Sequence, residues 1–154
     1  MTPRAALCIL SLSAAPAAAQ DLPFSPGPTL DCLTGGGGAS CVGQAARACI
    51  EAAGPGSAGV CTGAENGFWL ARIDRAQGQL RAMAPLMAET SARRGLVAPD
   101  LEALAQRFAA YRDAACGLRV ALWQGMHTGP EEIDCQMRMN AMHALWLADR
   151  VAAP

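Results

Sequence analysis

The chain has 154 residues, 52% of them hydrophobic, with 12 basic and 13 acidic side chains and a net charge of −1 at neutral pH. That balance excludes the basic field on which nucleic-acid binding depends. The length fits one domain with a modest core.

Residues 1–19 have the three parts of a secretory leader: Arg4, an apolar run from Ala5 to Ala15, and small residues at Ala17 and Ala19. Cleavage is expected near Ala19-Gln20. The apolar run is 11 residues long, against roughly 20 for a membrane span, and no later segment is apolar for long enough, so no span is expected after cleavage. Loss of Arg4 leaves 11 Arg against 13 acidic residues, a net charge of −2. The seventh cysteine, Cys8, falls in the leader. The other six lie beyond it, and an even set behind an export signal predicts a disulfide framework in the periplasm or outside the cell.

Residues 20–31 carry Pro23, Pro26 and Pro28 with little periodicity, and are expected to form an extended arm. Gly35 to Gly38 predicts a loop. A short helix is expected over Ala39–Ala53 with Ser40 as N-cap, stopped at Gly54-Pro55-Gly56. A second is expected from Thr62 to Arg94, where Thr62 and Glu65 have capping-box spacing. Its stripe is Trp69, Ile73, Ala76, Leu80, Met83 and Met87, with a kink at Pro85 and a stop at Gly95. The third, Pro99 to Gln124, has the cleanest pattern: Leu101, Leu104, Phe108, Tyr111, Ala115, Leu118 and Leu122, spaced alternately by three and four. The last begins after a second capping box, Thr128 and Glu131, and carries Ile133, Met137, Ala141, Ala144, Ala148 and Val151 on one face. No segment shows a period of two. The expected fold is all-α: a small disulfide-stapled domain over residues 32–152, an antiparallel helix hairpin or bundle with a Cys-rich N-terminal segment.

Cys116 lies eight residues before Gln124 and Cys135 seven after Thr128. In an antiparallel hairpin the two sit at nearly equal height above the turn, within disulfide reach. The four N-terminal cysteines allow three connectivities, and sequence alone does not decide among them. Cys32–Cys41 with Cys49–Cys61 is preferred because each bond encloses a glycine-rich segment.

Gln106, Phe108, Tyr111-Arg112-Asp113 and Cys116, followed by Cys135 and by Arg138 in a closing helix, resemble the N-terminal domain of a family of exported bacterial proteins. It is named for the lysozyme inhibitor LprI. Upstream, Glu65, Trp69, Ile73 and Asp74 match a second segment of that family, and the N-terminal cysteines resemble the lead-in of one branch. The likeness spans about Cys32 to Leu147. Phe108 stands where the family usually has Trp, Leu70 where it has Asp, and Gln77 where it has Tyr. The resemblance implies a periplasmic or secreted binding protein whose partner is a lysozyme or another envelope protein. The alternative is a non-inhibitory structural or interaction module with the same fold.

An inhibitor must block a cleft that works through two carboxylates. The candidate element is the turn between the last two helices, with Trp123, Met126, His127 and Thr128. Glu131 and Glu132 beyond it would attract a basic enzyme. Tyr111 is expected in the core. Asp113 is expected at the helix–helix seam, reaching an Arg or backbone donor on a neighbour, with Arg138 as candidate. His127 and His143 have no metal-ligand spacing. No Cys-x-x-Cys or Gly-x-Ser-x-Gly occurs. No metal, cofactor or catalytic group is expected.

Overall fold

A computed structural model describes residues 22–152, which form six α-helices and two short 3-10 turns. The helices are α1 (Gly27–Thr34), α2 (Gln44–Ala53), α3 (Ala58–Ala82), α4 (Ala84–Arg93), α5 (Leu101–Ala121) and α6 (Gly129–Ala152). The leader expected over residues 1–19 lies outside the described residues. No described strand occurs, and no described helix is long and apolar enough to cross a membrane. The all-α, disulfide-stapled expectation holds.

The frame is a three-helix arrangement of α3, α5 and α6. Gly63 lies near Ile133, Asn66 bonds Asn140, and Ala76 shares a cleft with Ala144 and Ala148. Residue numbers rise together along both helices, so α3 and α6 run parallel. Cys116 meets Cys135, Arg112 meets Asn140 and Phe108 meets His143, so α5 runs antiparallel to α6, as its short connection requires. The core between them holds Trp69, Ile73, Ala76, Leu80, Met137, Ala141, Ala144 and Leu147. Alanines at 76, 141 and 144 let the helices close on Trp69 and Met137, which are at most 1% exposed. Burying side chains of that size contributes roughly 1.5–3 kcal/mol each.

The preferred cysteine pairs are the ones formed: Cys32–Cys41, Cys49–Cys61 and Cys116–Cys135. Closing the 19-residue separation of the last stabilises by about 3 kcal/mol on the chain-entropy account. The glycine run has a specific reason at Gly37. A Cβ there would lie 2.6 and 2.7 Å from the sulfurs of Cys32 and Cys41, so only glycine lets the backbone cross that bond.

Several boundaries differ from expectation. Residues 27–31 are not an extended arm, because α1 starts at Gly27. Pro28 stands in its first turn, where a missing N–H costs nothing, and Thr29 is fully buried. Ser40 is not a helix N-cap. It lies in the 3-10 turn Gly38–Cys41, and α2 begins after Gly43, whose φ of +85° breaks the run. Helix α3 starts at Ala58, a turn before Thr62, because the 3-10 turn Pro55–Ser57 leads directly into it. Pro85 does more than kink this helix. With no N–H, and a ring that clashes with the carbonyl four residues back, it ends α3 at Ala82 and stands in the first turn of α4. Helix α5 is shorter than predicted: the Asp100 side chain caps it by accepting from the Ala103 N–H at 2.9 Å, and it ends at Ala121.

Candidate functional site

The most concentrated polar chemistry surrounds Glu65, a carboxylate with 0% exposure. It was expected in a capping box with Thr62, but α3 has already begun at Ala58, so Glu65 sits in the helix interior and bonds another segment's N–H groups. One oxygen accepts from the Gly43 N–H at 2.7 Å and the Trp69 indole at 3.1 Å; the other accepts from the Ala46 N–H at 2.7 Å. Glu65 therefore caps α2 from another helix. It satisfies N–H groups that the first turn leaves without partners and lies at the positive end of that helix. The Thr29 hydroxyl accepts from the Ala45 N–H at 3.0 Å. Its single proton is within reach of Glu65 at 3.3 Å and of the Cys41 carbonyl at 3.4 Å.

A second polar chain crosses the core. Asn140, 1% exposed, donates its amide to Asn66 at 2.8 Å and accepts from the Arg112 guanidinium at 3.2 Å. Arg112 also donates to Asp113 at 2.9 Å. Helices α5, α6 and α3 are thus bridged in series. Asp113 is not at the seam and does not reach Arg138. It is exposed beside its own neighbour, and Arg138 pairs with Asp134 at 2.9 Å. That hydrogen bond holds the Arg138 guanidinium charged against the opposing effect of burial, and the charges of Asp134 and Glu65 add to it.

Tyr111 is not in the core; it is 67% exposed. Helix α5 is rotated from the expected setting because Cys116 and Arg112 fix which flank meets α6. Gln106 is exposed, and its side chain bonds Glu102 within its own helix. The structure therefore brings together Glu65, Trp69, Arg112 and the cysteines as parts of the frame, and leaves Gln106 and Tyr111 outside it. Thr29, Asn66 and Asn140 escaped the sequence reading. Asn140 had a signal: it falls between Met137 and Ala144 on the apolar stripe of α6, where a polar side chain needs a partner.

The turn after α5 presents Trp123, Met126, His127 and Thr128 to solvent, Met126 at 93% exposure. The Trp123 indole folds over Gly125, where a Cβ would collide with it. Behind the turn, Arg119 bridges Glu131 at 2.7 Å and Asp134 at 3.4 Å. His143 stacks on Phe108 with ring centroids 3.7 Å apart, and its Nε2 is buried without a hydrogen-bond partner among the described residues. Burial holds its pKa below the ordinary imidazole value.

No family model matches the chain, and no curated protein or solved structure is significantly similar to it.

Two predictions follow from the bonding. Arg112→Ala should destabilise the domain by about 1–3 kcal/mol, because Asn140 loses a charged donor in the core. Asp113→Ala should change stability by less than about 0.5 kcal/mol, because the pair it leaves is on the surface. Thermal melts of both variants beside wild type check the order, and a larger loss for Asp113→Ala would contradict the bonding described. For His143, the lowered folded-state pKa means that the unfolded chain binds the extra proton first. Its contribution to stability is therefore complete above the unfolded value of about 6.5 and declines as pH falls from there through the folded pKa. Melting temperatures recorded from neutral to mildly acidic pH should fall less steeply in His143→Phe than in wild type. Identical slopes would contradict the burial of that imidazole.

Proposed function

We propose that the protein is an exported binding domain that blocks a lysozyme or another peptidoglycan-cleaving enzyme, rather than a catalyst. The resemblance to LprI-like proteins motivates this reading. The observation that carries it is the turn from Trp123 to Thr128, which projects from a hairpin closed by Cys116–Cys135 and exposes Met126 almost completely. A stapled, exposed turn loses little entropy on entering a cleft. His127 and Thr128 offer donors to the two carboxylates such an enzyme uses, and the exposed Glu132 suits a basic enzyme surface, while Glu131 is held by Arg119. The three disulfides fit an oxidising compartment outside the cytoplasm. We assign the periplasm, or the medium, after cleavage near Ala19-Gln20.

A second reading, a non-inhibitory envelope interaction module, has its own support. Glu65, Trp69, Arg112, Cys116 and Cys135, which carry much of the resemblance, all act inside the fold. A likeness made of scaffold residues travels with the scaffold and not with one activity.

Incubating the oxidised mature chain with lysozymes of several types, and following cell-wall turbidity, separates the two. The inhibitor reading expects wild type to slow clearing, and expects Met126→Ala/His127→Ala to lose that effect with unchanged melting. No protection by wild type at micromolar excess would leave the interaction module.

A further inference from the structure

The regular stripe of α5 is only partly covered by the chain itself. Leu101, Leu104, Phe108, Tyr111, Ala115, Leu118 and Leu122 repeat at alternating steps of three and four, the a/d spacing of a seam between two helices. Within the fold this stripe is covered only on one flank, where Leu101 and Phe108 pack on the core and Arg112 and Cys116 beside them meet α6. Tyr111, Leu118 and Leu122 remain 67%, 62% and 72% exposed, and Leu104 is also exposed. A helix that leaves one flank of such a stripe in solvent lacks a partner there.

We propose that a second copy of this chain covers that face, so that α5 pairs with α5 of another subunit across a two-fold axis. Three observations favour a copy of itself over a foreign partner. The first is extent. From Leu104 to Leu122 the seam runs for about 27 Å at 1.5 Å per residue, long enough for five turns of a facing helix. The second is area. Large side chains carry roughly 150–250 Å² each, so the exposed parts of Leu104, Phe108, Tyr111, Leu118, Leu122 and Trp123 present on the order of 600 Å². That is at the upper end of the largest patch on an ordinary monomer. With the bordering Ala114, Ala115 and Ala121 the face approaches the ~800 Å² that each subunit gives to a standard interface.

The third is charge. Between Leu104 and Leu122 the row of Leu104, Tyr111, Leu118 and Leu122 is bordered by Arg107, Arg119 and alanines, and the charge of Arg119 is already paired with Glu131 and Asp134. A two-fold interface sets each patch against itself, and a face so poor in charge can meet its own copy without strong repulsion. The same poverty offers little to a strongly charged partner. Alanines at 114, 115 and 121 leave room for close helix approach. The seam ends at Trp123, so the turn at Met126 to Thr128 lies beyond it, and the dimer would carry two such turns. The pairing does not depend on whether those turns inhibit a lysozyme.

Sedimentation equilibrium on the oxidised mature chain, from low to high micromolar concentration, tests this. Wild type should approach twice the chain mass, and its melting temperature should rise with concentration. Leu118→Glu/Leu122→Glu should sediment as a single chain with its helical circular dichroism retained; Tyr111→Glu, at a single exposed position, serves if the double variant loses that signal. Val97→Glu, in the exposed connection before α5, should remain dimeric. A single-chain mass for wild type throughout would overturn the proposal. So would a dimer that survives the α5 substitutions or dissociates with Val97→Glu.

Discussion

A carboxylate shut away from water needs hydrogen-bond donors, and Glu65 has four within reach, three of them on two segments distant in sequence and one a turn along its own helix. Two are backbone N–H groups at Gly43 and Ala46, one is the Trp69 indole and one is the Thr29 hydroxyl. An ion removed from water without such partners costs several kcal/mol, so the N-terminal segment cannot stay open while α3 is packed. The bonds set the position of α2 on α3, and Thr29 brings α1 in behind it. The region richest in glycine and proline becomes ordered because one side chain from the core reaches into it.

The disulfides reinforce what that carboxylate arranges. Cys32–Cys41 ties α1 to the 3-10 turn before α2, and Cys49–Cys61 ties α2 to α3. Each closes a short loop around glycine-rich chain that would otherwise keep much of its conformational freedom. At the other end of the frame, Cys116–Cys135 and the Arg112–Asn140–Asn66 series hold α5 on α6 and fix its rotation. That rotation leaves Tyr111, Leu118 and Leu122 facing solvent. The surface available for partners is therefore a consequence of how the interior polar groups were satisfied.

Much of the frame was legible in the sequence because it rests on local signals. The stripe of α6, the early part of that of α3, and the equal heights of Cys116 and Cys135 about their turn follow from helical spacing alone. What stayed hidden depends on long-range pairing of polar groups. Glu65 three residues after Thr62 has the local form of a capping box, and nothing nearby shows that its partners lie some twenty residues upstream. Thr29 sits among prolines that suggest an extended arm, yet Pro28 falls where a helix tolerates it. Tyr111 and Asp113 were misplaced for one reason: periodicity gives the spacing of a stripe but not which flank the neighbouring helix will take. The turn at Trp123 to Thr128 was visible as an exposed connector, and its chemistry carries no motif that names a partner.

The central claim is that Glu65 holds the N-terminal helices on the frame, and amide hydrogen exchange at Gly43 and Ala46 tests it most directly. In wild type both amides should exchange only as fast as the core of α3 does, because their bonds to Glu65 break only when the domain opens. In Glu65→Ala they should exchange much faster than the α3 core, or the domain should fail to fold. Fast exchange at these amides in wild type, or a Glu65→Ala chain that protects them and melts like wild type, would contradict the account.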